Sequence, residues 1–223
     1  MKDDKNALIF MDTPLLLAGF TVKPLDLETF YAQLSLNCRI SQISEIDIKP
    51  VRLRQVHGCR VVPHDQAGVE ADGMICEEPG MLLVTSHADC FPVYLFSNDC
   101  ISLLHAGREG FYAGIIHSGI QEFSARRIDP GTISAIIGPG ICPACHSVGK
   151  DISDRFRSRF GECGPEGHID LSGLIVRQLL ESGLRPESIS CTGLCTCHDQ
   201  RFHSYRRERT SLRNAAFFLR KTL

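Results

Sequence analysis

Apolar residues fall along this chain in short runs separated by turn formers, the pattern of many short strands with a few helices. Ala7 to Met11 and Leu15 to Phe20 are two such runs, parted by Asp12-Thr13-Pro14, and both read as strands. Leu25 to Leu34 carries its acidic residues early and apolar residues at helical spacing, which predicts a short helix. Val51 to Leu53 and Cys59 to Val62 read as strands around Gln55 to Gly58, with turn signals at Gly73 and Pro79-Gly80. Met81 to Thr85, Val93 to Phe96 and Ile101 to Leu104 are further strands, the last two joined through a hairpin at Asn98-Asp99.

In the second half, Gly107 to Gly110 reads as a loop opening a helix over Phe111 to Ser124. Thr132 to Ile137 is a buried strand that stops at Gly138-Pro139-Gly140. Lys150 to Phe160 reads as an exposed helix, Leu171 to Ser182 as a more apolar one, and Ser188 to Thr192 as a strand. Ser211 to Arg220, with Ala215, Ala216, Phe218 and Leu219 inside, is expected to be a C-terminal helix. No repeat, low-complexity tract or dividing linker interrupts the chain. The expectation is one layered α+β domain over residues 1–223, strands central and helices flanking.

Composition narrows the class. A chain of 223 residues can bury a sizeable core. With 43% hydrophobic and 22% charged residues it reads as soluble and globular. A net charge of −2 gives no reason to expect nucleic-acid binding or membrane-surface binding. No apolar stretch approaches a membrane span. The N-terminus has acidic residues and only short apolar runs, so a secretory signal is not expected and the cytoplasm is the expected location. In that compartment the 11 cysteines are expected to be reduced, most of them small buried hydrophobes.

Three segments stand out chemically: Gln55-Val56-His57-Gly58, His87-Ala88-Asp89-Cys90 and Leu104-His105-Ala106-Gly107. Each carries a soft metal ligand or a candidate nucleophile next to a strand-type run. One Cys and two His make a three-ligand shell that leaves a metal one open position, the pattern of a catalytic zinc. The same residues also fit a metal-free dyad, Cys90 as thiolate nucleophile with His105 as its base. Spacing leaves both readings open.

The ordered segments Gln55 to Gly58, Ala71 to Gly73, Ala88 to Val93, His105 to Gly107, Ile137 to Pro139 and Phe202 to Arg207 resemble the YfiH-like, laccase-domain family. Its members have been called polyphenol oxidases and peptidoglycan editing factors and are now regarded as purine nucleoside phosphorylases. The resemblance implies a layered fold with mixed central sheets, and a zinc held by His57, Cys90 and His105, with copper the less favoured metal. It implies small-molecule partners, a purine nucleoside and phosphate, and a monomer or homodimer.

The chain departs from the family pattern in three places. Arg108-Glu109 stands where Trp-Arg is usual, which exchanges an anion-binding cation for an acid, and Arg108 is expected to point elsewhere. Gly19 to Pro24 has neither the Arg nor the Gly-Gly turn usual there. Ser211-Leu212-Arg213 replaces Thr-Gly-Arg. Arg206 and Arg207 are candidates for holding phosphate through their guanidinium forks, and equally read as part of a solvated basic stretch. Gln55 and Arg108 complete the candidate substrate side. Asp89 is the candidate carboxylate for orienting a ligand His, with a turn cap as its alternative. His87 is a candidate extra polar group.

Cys142-Pro143-Ala144-Cys145-His146 matches a haem-attachment pattern, which the expected location argues against. Cys191, Cys195, Cys197 and His198 have poor zinc-finger spacing and read as structural. A joint site with Cys142 and Cys145 requires the two segments to meet in space. Multicopper chemistry lacks its His-x-His pairs here, and a cytidine-type deaminase lacks both His-x-Glu and Pro-Cys-x-x-Cys. By resemblance, the expected activity is phosphorolysis of adenosine or inosine, with adenosine deamination as a side activity. The alternatives are a Cys90/His105 amidase acting on peptidoglycan precursors, and a metal- or nucleoside-binding protein without turnover.

Overall fold

The computed structural model describes residues 2–4, 6–34 and 48–222. Twelve strands and six α-helices alternate along them. In chain order they are β1 (Lys2–Asp4), β2 (Ala7–Asp12), β3 (Leu16–Thr21), α1 (Leu27–Leu34), β4 (Lys49–Arg52), β5 (Val61–Pro63), β6 (Gly73–Cys76), β7 (Met81–His87), β8 (Phe91–Phe96) and β9 (Ile101–Ala106). Then come α2 (Arg108–Ala113), α3 (Ile115–Ala125), β10 (Ser134–Ile137), α4 (Lys150–Phe160), α5 (Leu171–Glu181), β11 (Ile189–Cys191), α6 (Tyr205–Glu208) and β12 (Asn214–Arg220). The strands form two six-stranded sheets, ordered β1-β2-β3-β12-β7-β4 and β11-β10-β8-β9-β6-β5. Both are mixed, with parallel pairs β4–β7, β10–β11 and β5–β6 among antiparallel neighbours. The expected layered α+β architecture is therefore present.

Each sheet buries both faces, which explains why so many strands are apolar at consecutive positions. Between the sheets, Phe20, Leu83 and Phe218 of the first meet Met74, Tyr94 and Leu103 of the second. The Tyr94 hydroxyl crosses this layer and donates to the Gly19 carbonyl at 2.7 Å. Gly19 must be glycine, because a Cβ there would lie 2.4 Å from the Phe217 ring. Helices α2 to α5 cover the outer face of the second sheet through Phe111, Ile116, Phe123, Phe156 and Leu174. On the outer face of the first sheet, Phe30 of α1 stacks on Phe217 with ring centroids 5.3 Å apart.

Three expectations are corrected. The C-terminal segment is the strand β12, not a helix. It lies between β3 and β7, with Ala216 and Phe218 in the inter-sheet layer and Ala215, Phe217 and Leu219 on the opposite face. A run apolar at every position has no polar stripe for an amphipathic surface helix, and a central strand accepts it on both faces. Gly73 is not a turn but the first residue of β6. A Cβ there would lie 2.7 Å from a Leu104 methyl and 2.8 Å from a Val61 methyl, so glycine lets β6 fit between β5 and β9. The single helix expected over Phe111 to Ser124 is two, because Gly114 adopts φ 104° and ends α2 with a left-handed cap.

The chain passes from the first sheet to the second twice near one place. One crossing is Gln55 to Gly58, between β4 and β5; the other is Ala88 to Cys90, between β7 and β8. Among the described residues no helix is long and apolar enough to cross a membrane.

Candidate functional site

The two crossings and the end of β9 bring His57, Cys90 and His105 together. Their ligand atoms all lie within 4.8 Å of one another. His57 sits at φ 61°, a left-handed conformation that a non-glycine residue keeps only when its surroundings hold it. Asp72 does the holding. Its carboxylate accepts the backbone N–H of His57 at 2.9 Å and of Gly58 at 2.7 Å, and that of Val56 at 3.2 Å.

Asp72 also meets His105 Nδ1 at 2.8 Å, with both side chains buried. A carboxylate only accepts, so Nδ1 carries a proton, and when His105 is neutral its lone pair is on Nε2. Burial pulls the Asp72 carboxyl up, but the hydrogen bonds from His105 and Gly58 outweigh it and hold it below the usual carboxylate range. The orienting carboxylate is therefore Asp72, which sequence reasoning missed. Its only signal was its place in Ala71-Asp72-Gly73.

Asp89 has a different task. At φ 90°, it accepts Thr196 Oγ1 at 2.8 Å, Ser204 Oγ at 2.7 Å and the Arg206 backbone N–H at 2.6 Å. It ties the Cys90 crossing to α6 and touches no ligand His by hydrogen bond, as a turn anchor would.

Electrostatics favour a thiolate in the cluster. Burial pushes the Cys90 thiol up, but the charge of His105 and hydrogen bonds from His105 and His57 outweigh it and bring it to about 6. Burial pushes His105 down, and the Cys90 charge with the Asp72 hydrogen bond reverses this, raising it to about 9. Without a metal these two form a thiolate–imidazolium pair. With one, they offer a thiolate and a lone pair, which suits a metal ion. Gly107 allows the close approach: a Cβ there would fall 2.8 Å from Cys90 Sγ and 3.3 Å from His57 Cδ2.

His87 lies against His105, ring centroids 5.1 Å apart. Its Nδ1 donates to the Cys90 carbonyl at 3.0 Å, and its Nε2 accepts the Thr85 hydroxyl at 2.8 Å. Burial, then the charge of His105, keep its pKa well below the ordinary histidine value, so it stays a neutral brace under the Cys90 turn.

The cluster opens onto a cleft of about 610 Å³. Four arginines line it: Arg108, Arg206, Arg209 and Arg213. Asp89 is the only acid among its lining residues, and its carboxylate is already hydrogen-bonded. Tyr205, Ile141 and Leu171 supply apolar surface. His146 lines the cleft too; burial and the Arg206 charge push it down to about 4, so it is neutral. Arg209, Arg213, Tyr205 and His146 were not singled out as site residues in the sequence.

The remaining candidates separate. Arg108 faces the cleft, contrary to expectation, and its Nε donates to Glu109 at 2.8 Å. Glu109 also accepts Arg155 Nη2 at 2.8 Å and is not among the lining residues. Arg206 donates to the carbonyls of Cys145 at 2.6 Å and Ser147 at 2.9 Å while lining the cleft. Arg207 does not line it. Its guanidinium donates to the carbonyls of Thr196, Cys197 and Phe202 and to Glu208, a loop-binding role. Gln55 lines the cleft, but its amide pairs with the backbone of Ser86, at 3.0 Å from Nε2 and 2.7 Å to Oε1.

The family model described as multi-copper polyphenol oxidoreductase laccase matches residues 35–221. A purine nucleoside phosphorylase of Xylella fastidiosa is 35% identical over 197 residues, covering 79% of this chain and 74% of that protein. The purine nucleoside phosphorylase YfiH of Escherichia coli K12 is 30% identical over 193 residues, covering 80% and 77%. The crystal structure of YlmD from Geobacillus stearothermophilus superposes with a TM-score of 0.85 at 24% identity, over 100% of this chain and 98% of that one. With the fold, the ordered motifs and the family match in agreement, this chain belongs to the YfiH-like laccase-domain family.

Proposed function

We propose that this protein is a zinc-dependent purine nucleoside phosphorylase. The observation that carries the reading is one cleft shared by a Cys-His-His cluster and four guanidinium groups. Arginine suits phosphate because its planar fork bonds two oxygens at once. Arg108, Arg206, Arg209 and Arg213 hold the phosphate and balance its charge, so the Glu109 replacement does not empty the cleft of cations. Glu109 neutralises Arg155 instead. Burial raises its carboxyl, but Arg155 and Arg108 outweigh this and keep it ionised. Tyr205, Ile141 and Leu171 offer apolar surface to a purine. In the reaction a phosphate oxygen attacks C1′ of the ribose. The bond from C1′ to the purine nitrogen breaks, and the proton given up by the attacking hydrogen phosphate leaves with the base, giving ribose 1-phosphate.

His57, Cys90 and His105 fit zinc: a thiolate, an imidazole whose free lone pair Asp72 sets, and an exposed third ligand facing the cleft. Zinc, when bound, supplies Lewis acidity at its open position. The same set is compatible with the proposed adenosine deaminase side activity.

The test is adenine release from adenosine with and without phosphate, on protein whose zinc is measured in the same sample. Phosphate-dependent adenine that disappears in Cys90→Ala supports the reading; inosine without adenine overturns it. One observation favours a second reading, the amidase: the Cys90–His105 pair is a thiolate–imidazolium pair when metal-free. Thiol-alkylation-sensitive amide cleavage by zinc-stripped protein would favour it.

A further inference from the structure

Strands β10 and β11 run parallel and in register, Ile137 opposite Cys191. The chain therefore leaves both strands at the same end of the sheet, and the two following loops travel together. Gly140 pairs with Cys195 as a parallel bridge. The Gly140 N–H donates to the Leu194 carbonyl at 3.2 Å, and the Thr196 N–H to the Gly140 carbonyl at 3.0 Å. This is the spatial meeting that a joint cysteine site requires.

At the meeting point, one ligand atom each from Cys142, Cys145, Cys195 and His198 lie within 4.8 Å of one another. His198 Nε2 is 3.1 Å from Cys145 Sγ, and its Nδ1 is 3.8 Å from Cys142 Sγ. A tetrahedral zinc with Zn–S near 2.3 Å holds its sulfur ligands about 3.8 Å apart, which is the scale of this cluster. The local backbone is shaped for it. The N–H groups of Cys145 and His146 both donate to the Cys142 carbonyl at 3.0 Å, turning the two thiols of Cys-x-x-Cys to one side. Cys195 Sγ accepts the backbone N–H of Cys142 at 3.3 Å, and those of His198 and Cys197 also point to it.

We propose that Cys142, Cys145, Cys195 and His198 form a second metal site, a closed structural zinc independent of the cleft cluster. Four protein ligands leave no open position, the mark of a structural rather than a catalytic zinc. The ion's task follows from what the two loops hold. The Cys145 and Ser147 carbonyls fix the Arg206 guanidinium, and the Thr196 and Cys197 carbonyls fix that of Arg207. Clamping the loops together sets the wall of the cleft from which Arg206 reaches it.

The inference does not depend on the phosphorylase reading, and its test reads metal rather than turnover. Full-length protein is purified under reducing conditions with zinc, and zinc per chain is measured for the wild type, for Cys142→Ser/Cys145→Ser and for Cys90→Ser. The expected values are about two ions for the wild type and about one for each variant. Loaded with cobalt, the Cys90→Ser protein should show the intense thiolate charge-transfer bands of three sulfur ligands, and the double variant the weaker bands of one. If the double variant does not fold, the Cys90→Ser protein decides alone: about one ion with a three-sulfur spectrum supports the site. No ion in Cys90→Ser overturns the proposal, as does a double variant that keeps all the wild-type zinc. Wild-type protein with these cysteines joined as disulfides and no metal also overturns it.

Discussion

Asp72→Asn isolates the device that holds the cleft cluster. The carboxylate accepts four N–H groups, two on each oxygen: His57 N and His105 Nδ1 on one, Val56 N and Gly58 N on the other. An amide has the same shape but only one accepting oxygen, so either orientation sets an NH2 against two donors. Turned toward His105, it drives the proton to Nε2 and removes the lone pair a metal needs. Turned toward Val56 and Gly58, it loosens the strained His57 loop. Losing two charge-assisted hydrogen bonds at a fully buried site costs about 3 kcal/mol or more. Zinc affinity should fall about 10- to 100-fold, equivalent to about 1.4–2.7 kcal/mol. Chelator competition measures the second quantity and urea unfolding of the zinc-free protein the first. The sign with pH also follows. The native carboxyl lies below its unfolded value near 4, so its contribution is complete above that value. It is lost as pH falls through the native pKa, and the Asn variant should lack this acid limb. Unchanged zinc affinity together with an unchanged urea midpoint would refute the argument.

Four further outcomes follow. Gly107→Ala places a Cβ 2.8 Å from Cys90 Sγ and should abolish zinc at the cleft cluster while far-ultraviolet circular dichroism stays native; retained stoichiometry would contradict this. Arg213→Ala should raise the KM for phosphate at least about tenfold, as loss of a charged hydrogen bond would. Arg207→Ala should instead lower Tm with little change in that KM, because its guanidinium binds loop carbonyls. His146 titrates near 4 when folded and near 6.5 when unfolded, so the unfolded chain binds the extra proton between those values. Stability should therefore fall by about 2 kcal/mol between pH 7 and pH 5, and His146→Gln should flatten the Tm slope over that range.

What was legible in the chain is what rests on local pattern. Runs such as Val93 to Phe96 and Ile101 to Leu104 are strands because no helical stripe can be drawn through them, and the observed β8 and β9 contain them. His57, Cys90 and His105 stood out because each is a soft ligand beside such a run. Asp72 did not, because its work is a contact 33 residues away in sequence with His105. The C-terminal strand misled for a related reason. Ala215 to Leu219 has helix-compatible residues; its uniformly apolar run excludes a surface helix but fits either a buried helix or a buried strand, and its place between two strands decides between them. The arginines sorted themselves by which neighbours they meet: adjacent Arg206 and Arg207 are indistinguishable in sequence, yet one lines the cleft and the other grips a loop. The two cysteine segments each looked weak alone because the parallel pairing of β10 and β11 that joins them is a tertiary fact.

The most direct test of the central claim is phosphorus NMR of adenosine incubated with zinc-loaded protein and inorganic phosphate, with adenine quantified in the same tube. The account predicts ribose 1-phosphate appearing in step with adenine, one for one, and both falling together in Arg213→Ala. Adenine accompanied by free ribose and no new phosphate ester, or no adenine from protein carrying its full zinc, would contradict it.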